Sequence, residues 1–332
     1  MRIISNIKED QNWTRNFSKD CLPNVTRISD ISGYDILQLT INNGYIEPKI
    51  CFKVSVQYDK KNTGDVMILN LPFYDNYGHC LQDVIPKLLW YDENHSADVI
   101  YTNHSDLLVS FIDLFDIRLK KIKFIKKEAY LNARNIIIEN HPGWHHRDIF
   151  KIEKFKKIID TKCVLYNQSE IHNRLIYCSR NHSSLVRHGR VMNSRNEDDI
   201  IAMLKKYCQD NNMLFTKFTG MDSNDQLLSL KEQLILFNQA KVVVGPHGSA
   251  MNNIIYLNPG NNPKVCEFTS GTQVQIHGGI FTKTYLELYG YLTDRIYDYY
   301  LIPFDKQSTN QITSININHL NTFLKTINIS NI

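Results

Sequence analysis

The sequence predicts an α/β fold whose second half is a doubly wound unit, and three observations predict it. Apolar runs of strand length alternate with amphipathic helical stretches between Val66 and Phe268, the pattern of parallel sheets covered by helices. The run Val242-Val243-Val244 is continuously apolar, as expected of a strand buried on both faces. A tight turn, Pro246-His247-Gly248, follows that run and opens onto another helical stretch; this is the carboxyl end of a strand, where open α/β sheets bind ligands. The 332 residues suit two domains of about 150 each. The expected division is 1–160, then 161–312, with a C-terminal helix in 313–332 that packs back on the first domain.

Composition narrows the function classes. The formal charge of +4 fits a phosphate-bearing ligand and does not call for nucleic acid. The N-terminus, MRIISNIKEDQNW, lacks the apolar core of a signal peptide, and no uninterrupted apolar stretch has the length of a membrane span. The seven cysteines are odd in number, scattered and free of C-x-x-C spacing. That favours reduced thiols and a cytoplasmic location over a disulfide frame or a zinc site. The sequons at Asn12 and Asn24 are expected to be chance.

In chain order, the first 55 residues read as short strands with turns at Ser32-Gly33 and Asn43-Gly44. Val66–Leu71 is a strand. The loop Asp75-Asn76-Tyr77-Gly78 leads into a helix that carries His79 and Asp83 four residues apart on one face, with Lys87 one turn later. Leu81, Val84, Ile85, Leu88 and Leu89 make its opposite, apolar face. Strands follow at Ala97–Tyr101, Lys121–Ile125 and Ala133–Glu139, and a helix at Asp106–Phe115. The loop 141–148, HPGWHHRD, concentrates His and Trp as a surface loop near an acceptor would. A charged helix at 149–162 is expected to bridge the domains.

The second unit begins with the strand Arg174–Cys178. Next come a helix capped by Asn196, a strand at Met213–Phe218 and a helix at Gln226–Ala240. The strand Lys241–Gly245, a helix from Ser249 to Leu257 and the strand Lys264–Phe268 complete a β-α-β-α-β-α-β order. Arg180 directly follows the first of these strands; Arg187, Arg190 and Arg195 lie further along. Gly248 lets a ligand approach the backbone. Ser249, Ala250 and Met251 offer helix N-terminal N–H groups, and His247 adds a side chain that donates or carries charge near neutrality. Their natural guest is a phosphate or pyrophosphate, and Arg180 is placed to clamp it. Glu267, at the end of the next strand, suits ribose hydroxyls. Each feature also has a plainer reading: a tight βα turn with a surface histidine, a strand-end glutamate, and helix capping by His79 and Asp83.

Three segments together resemble glycosyltransferase family 61. They are Gly78-His79-Cys80-Leu81-Gln82-Asp83, then Ile176-Tyr177-Cys178-Ser179-Arg180 with Asn196-Glu197, then Val242 through Asn253. The family includes O-linked GlcNAc transferases, plant xylosyl- and arabinosyltransferases and microbial capsular polysaccharide proteins. The resemblance spans residues 65 to 300. It implies a GT-B fold, two Rossmann-like domains facing across a cleft, and inverting transfer from a UDP-sugar without a metal or other cofactor. The family's H-G-A-G-L-T-N appears as His247-Gly248-Ser249-Ala250-Met251-Asn252-Asn253, a modest departure. The secretory anchor of its eukaryotic members is missing, so a glycan or polysaccharide acceptor of the microbial or viral type is expected.

On this reading the pyrophosphate sits at the 248–251 amides, His247 and Arg180, the ribose near Glu267, and Asp83, or else His79, deprotonates the acceptor hydroxyl. A non-catalytic nucleotide- or sugar-binding protein of the same fold is the alternative. A nicotinamide-dependent oxidoreductase is disfavoured because no G-x-G-x-x-G follows any expected strand.

Overall fold

A computed structural model describes residues 24–28, 37–43, 49–58, 64–71, 74–133, 135–140, 153–166, 173–181, 191–269, 298–305 and 312–327. The chain divides into two units, Met1–Lys151 and Ile152–Ile332. Both are α/β with parallel sheets. The loop 141–148 and the arginines Arg187 and Arg190 lie outside the described residues.

The first unit holds two sheets. One has the order β1 (Asn24–Ile28), β8 (Asn135–Asn140), β4 (Asp65–Asn70), β5 (Val99–Asn103), β6 (Ile122–Ile125). All its pairs are parallel except β1 with β8. From β4 the chain moves one way to β5 and β6 and later returns to the other side of β4 as β8, so the sheet is doubly wound about β4. The second sheet joins β2 (Leu37–Asn43), β3 (Lys49–Tyr58) and β7 (Glu128–Ala133). The strand β7 is absent from the sequence-based expectation; only Leu131 and Ala133 of its six residues are buried, which gives little apolar signal.

The helix after β4 is not regular. It runs as α1 (Tyr77–His79), a π-helical turn at Cys80–Val84, and α2 (Ile85–Asn94). Pro86 supplies a reason: in an α-helix its ring would press on the carbonyl of Gln82 and its missing N–H would leave that carbonyl unpaired. The π turn, with Ile85 N–H bonded to Cys80 O, absorbs the mismatch. The predicted apolar face is nevertheless buried, with Leu81, Val84, Ile85, Leu88 and Leu89 at or below 5 % exposure. The helix α3 (Asp106–Leu114) is capped by Ser105, whose Oγ accepts from Leu108 N–H at 3.0 Å.

The second unit opens with α4 (Glu153–Tyr166), which belongs to this unit by its position in the chain division. Its five-stranded sheet is parallel throughout and ordered β11 (Leu214–Phe218), β9 (Arg174–Cys178), β12 (Ala240–Pro246), β13 (Lys264–Thr269), β14 (Asp298–Pro303). The chain passes from β9 through β10 (Val191–Met192) and α5 (Ser194–Asp210) to β11 on one side. It then crosses through α6 (Leu230–Asn238) to β12 on the other. Strand order therefore reverses between β9 and β12, the topological switch point of a doubly wound sheet. The run Val242-Val243-Val244 is fully buried.

Several boundaries differ from expectation. Asn193, not Asn196, caps α5, accepting from Asn196 N–H at 3.1 Å; the Asn196 side chain pairs with the backbone of Ile315 instead. The helix α6 starts at Leu230 because Ser229 and Glu232 form a capping box there. The stretch Ser249–Tyr256, expected as a helix to Leu257, is a 3-10 helix with Gly248 at its N-cap. The C-terminal helix α7 (Ile317–Thr326) buries Leu320, Phe323 and Leu324 in the core of its own unit, with Leu204, Val244 and Ile302. Its apolar stripe completes the layer over β14 and α5, where Phe323 meets Tyr300 edge-to-face at 4.9 Å.

Candidate functional site

The switch point of the second unit gathers the expected residues. β9 delivers Ser179 and Arg180 at its carboxyl end, and the neighbouring β12 delivers His247 and Gly248 at its own. The two strands come unusually close there. A Cβ on Gly245 would stand 2.7 Å from Cys178 Cβ and 2.8 Å from Cys178 O, so only glycine fits.

Arg180 bridges the two loops. Its Nη1 donates to His247 O at 2.6 Å, and its guanidinium lies flat against Gly248, where an added Cβ would be 3.1 Å from Cζ. The backbone of His247 is fixed from the other side, its N–H donating to Phe268 O at 2.8 Å. The turn is held in place before any ligand arrives.

The His247 ring is 9 % exposed and its Nδ1 lies 2.5 Å from Glu267 Oε1. Glu267 is 1 % exposed, and its second oxygen accepts from the Tyr299 hydroxyl. A carboxylate has only acceptors to offer, so Nδ1 is the donor and Nε2 lies on the opposite edge of the ring. Glu267, expected near a ribose, has its carboxylate buried and hydrogen-bonded to His247 and Tyr299. Tyr299 was not anticipated; it lies on the edge strand β14, which pairs in parallel with β13 from Lys264↔Asp298 to Thr269↔Pro303 and so comes alongside Glu267.

The amides expected to hold an anion belong to Ser249, Ala250 and Met251. Met251 N–H is already bonded to Gly248 O at 2.9 Å, as the 3-10 turn demands. That bond removes Met251 from the set of unpaired donors and leaves the first two residues of the turn. Met251 itself is buried. The side chains of Asn252 and Asn253 bind the same turn from inside, donating to Ser249 O at 3.2 Å and Ala250 O at 3.1 Å. Arg195 lies exposed in the first turn of α5.

In the first unit, His79 ends α1 and Asp83 lies in the π turn, both in the segment that follows β4. The Asp83 side chain is outside the described residues; its backbone is placed. The backbone between the two residues is π-helical, where a regular α-helix was expected. The loop that leads there is pinned at three points. Asn103 Oδ1 accepts from Leu71 N–H at 3.1 Å, Ser105 Oγ and Cys80 Sγ both donate to Tyr74 O at 2.9 Å, and Asn76 Oδ1 caps α1 through His79 N–H.

Among the described residues no group of His, Cys, Asp and Glu is arranged to hold a metal ion. The described cysteines Cys80, Cys163, Cys178, Cys208 and Cys266 are buried free thiols. No helix among the described residues is long and apolar enough to cross a membrane.

The family model Glycosyltransferase 61 matches residues 77–263. No curated protein matches the chain. The matched span begins at α1, includes His79, Asp83, Arg180 and His247–Met251, and ends just before β13, which carries Glu267. It covers more than half of the 332 residues, and the chain belongs to the glycosyltransferase 61 family.

Proposed function

We propose that the protein is an inverting glycosyltransferase of GT-B type that uses a UDP-sugar without a metal, with the donor held by the second unit and the acceptor activated by the first. The observation that carries this reading is the His247–Glu267 pair meeting Arg180 at the β9/β12 switch point. A diphosphate at that edge meets a guanidinium, an imidazole backed by a buried carboxylate, and the amides of Ser249 and Ala250. Such an array stabilises charge that develops on a leaving diphosphate, the role a metal fills elsewhere.

The transfer balances simply. The acceptor oxygen forms a bond to the anomeric carbon as the bond from that carbon to the diphosphate oxygen breaks. The diphosphate leaves with the electron pair and takes its charge to Arg180 and His247. The acceptor proton passes to Asp83, or to His79. Attack opposite the leaving group inverts the anomeric configuration. Glu267 and Tyr299 act through His247 and touch no substrate. A glycan or polysaccharide hydroxyl is the proposed acceptor, and the nucleotide sugar is substrate, so no further cofactor is required.

The test is turnover with a panel of UDP-sugars and oligosaccharide acceptors in EDTA, with the product's anomeric configuration read by NMR. Transfer with inversion is the expected result. Nucleotide binding with no transfer to any acceptor would make the protein a non-catalytic binder; retention or metal-dependent transfer would overturn the mechanism. Asp83→Asn is expected to lower kcat by about 10²-fold or more, and near-normal turnover would remove Asp83 from the base role.

A further inference from the structure

A second buried carboxylate lies in the same unit, outside the array just described. Glu197, in the first turn of α5, is 4 % exposed. Its Oε1 accepts from Ser179 Oγ at 2.6 Å and from the Tyr177 hydroxyl at 3.2 Å. Its Oε2 lies 3.6 Å from Lys217 Nζ. Burial, and then the Glu197 charge, push the Tyr177 hydroxyl well above its ordinary range, so it stays a donor.

Ser179 stands immediately before Arg180, and its Oγ also accepts from Asn181 N–H at 3.2 Å, immediately after it. Ser179 N–H donates to Phe218 O at 2.8 Å. Asn181 in turn holds Met192, donating to its O and accepting from its N–H, both at 2.9 Å. The residues on either side of Arg180 are thus tied through one hydroxyl to one carboxylate. Arg180 alone of the three projects to Gly248 and His247 O.

We infer that Glu197 is a positioning residue for Arg180. Acting through Ser179, it presets the guanidinium for a diphosphate, so that the ligand does not have to order the turn as it binds. Lys217 and the two hydroxyls offset the carboxylate's charge, which would otherwise oppose an anion nearby. This inference rests on the proposed donor site in the second unit.

The test uses the full chain, with inorganic pyrophosphate and uridine as separate probes in calorimetry. Arg180→Ala, Ser179→Ala and Glu197→Gln are compared with the double variant Ser179→Ala/Arg180→Ala. The single variants at Ser179 and Glu197 are expected to lose about five- to twentyfold in pyrophosphate affinity and nothing in uridine affinity. Ser179→Ala is expected to add no loss once Arg180 is gone, because it acts only through that side chain. Ser179→Ala keeps the test decisive if Glu197→Gln folds poorly. If Arg180→Ala weakens pyrophosphate while Ser179→Ala does not, or if the two losses simply add, the positioning role is overturned and the donor site stands. If wild type binds no pyrophosphate, or Arg180→Ala leaves its binding unchanged, the donor site and this inference fall together.

Discussion

Nδ1 of His247 lies 2.5 Å from Oε1 of Glu267, a carboxylate that is 1 % exposed and also takes the hydroxyl of Tyr299. The histidine is therefore set from behind, and its remaining nitrogen is aimed by the fold. Glu267→Gln removes the charge while keeping the size. We expect kcat to fall at least about tenfold while UDP affinity changes less, because the loss concerns charge that develops during transfer. His247→Ala removes the donor itself and is expected to lower kcat by about 10²- to 10³-fold. Steady-state kinetics beside calorimetry check both, and an unchanged kcat in either variant contradicts the assignment.

Two glycines flank the site and are expected to fail differently. Gly245→Ala drives a Cβ to 2.7 Å from Cys178 Cβ and 2.8 Å from its carbonyl, in a strand that cannot move aside. Urea unfolding should show a loss of about 1–3 kcal/mol or more. Gly248→Ala meets only the end of the Arg180 side chain, at 3.1 Å. That side chain can yield, but the φ of +159° is one that residues with a Cβ rarely adopt, so a smaller loss of stability should accompany the fall in pyrophosphate affinity. Equal destabilisation by the two substitutions would contradict the contact pattern.

The buried thiols set an alkaline limit. Burial raises Cys163 from 9.0 to about 12 and Cys208 from 9.0 to about 11. The unfolded chain releases these protons near pH 9.0, whereas the folded chain keeps them to about pH 11–12. Stability is therefore full below pH 9.0 and declines between pH 9.0 and about 12 as the unfolded state is favoured. Denaturation midpoints across that range check the sign. Iodoacetamide at pH 8 should leave Cys163 and Cys208 unlabelled until denaturant is added, with mass spectrometry as the readout.

Truncating the core contact of the C-terminal helix tests where that helix belongs. Phe323→Ala removes a side chain packed on Tyr300 in the second unit's core and should cost about 3–5 kcal/mol. Nucleotide binding by that unit should melt away in step with its unfolding. A substitution that leaves the unfolding transition unchanged would contradict the packing.

How much of this was legible in the sequence depended on the kind of signal. Val242–Val244, the helix at Asp106 and the strand at Arg174 were legible because continuous or periodic apolar residues leave one solution. Arg180 and His247 were legible as neighbours of strand ends. The role of Glu267 was not, because its partner Tyr299 stands 32 residues later and a strand-end glutamate reads the same whether it faces solvent or a histidine. The anchoring of Ser179 by Glu197 was hidden for the same reason, being a contact across α5. The π turn before Pro86 was not anticipated: the apolar periodicity reads as a regular helix, and a proline in it does not say how the chain adapts.

The central claim is that the β9/β12 edge holds a nucleoside diphosphate without a metal. Thermal shift of the wild type and of Arg180→Ala, against UDP, GDP, CMP and a set of nucleotide sugars in EDTA, tests it most directly. The account predicts that UDP raises Tm, that one UDP-sugar raises it further, and that both shifts shrink in the Arg180→Ala protein. A shift with GDP or CMP in place of UDP would change the donor and keep the site. No shift with any nucleotide, or equal shifts in the two proteins, would contradict the account.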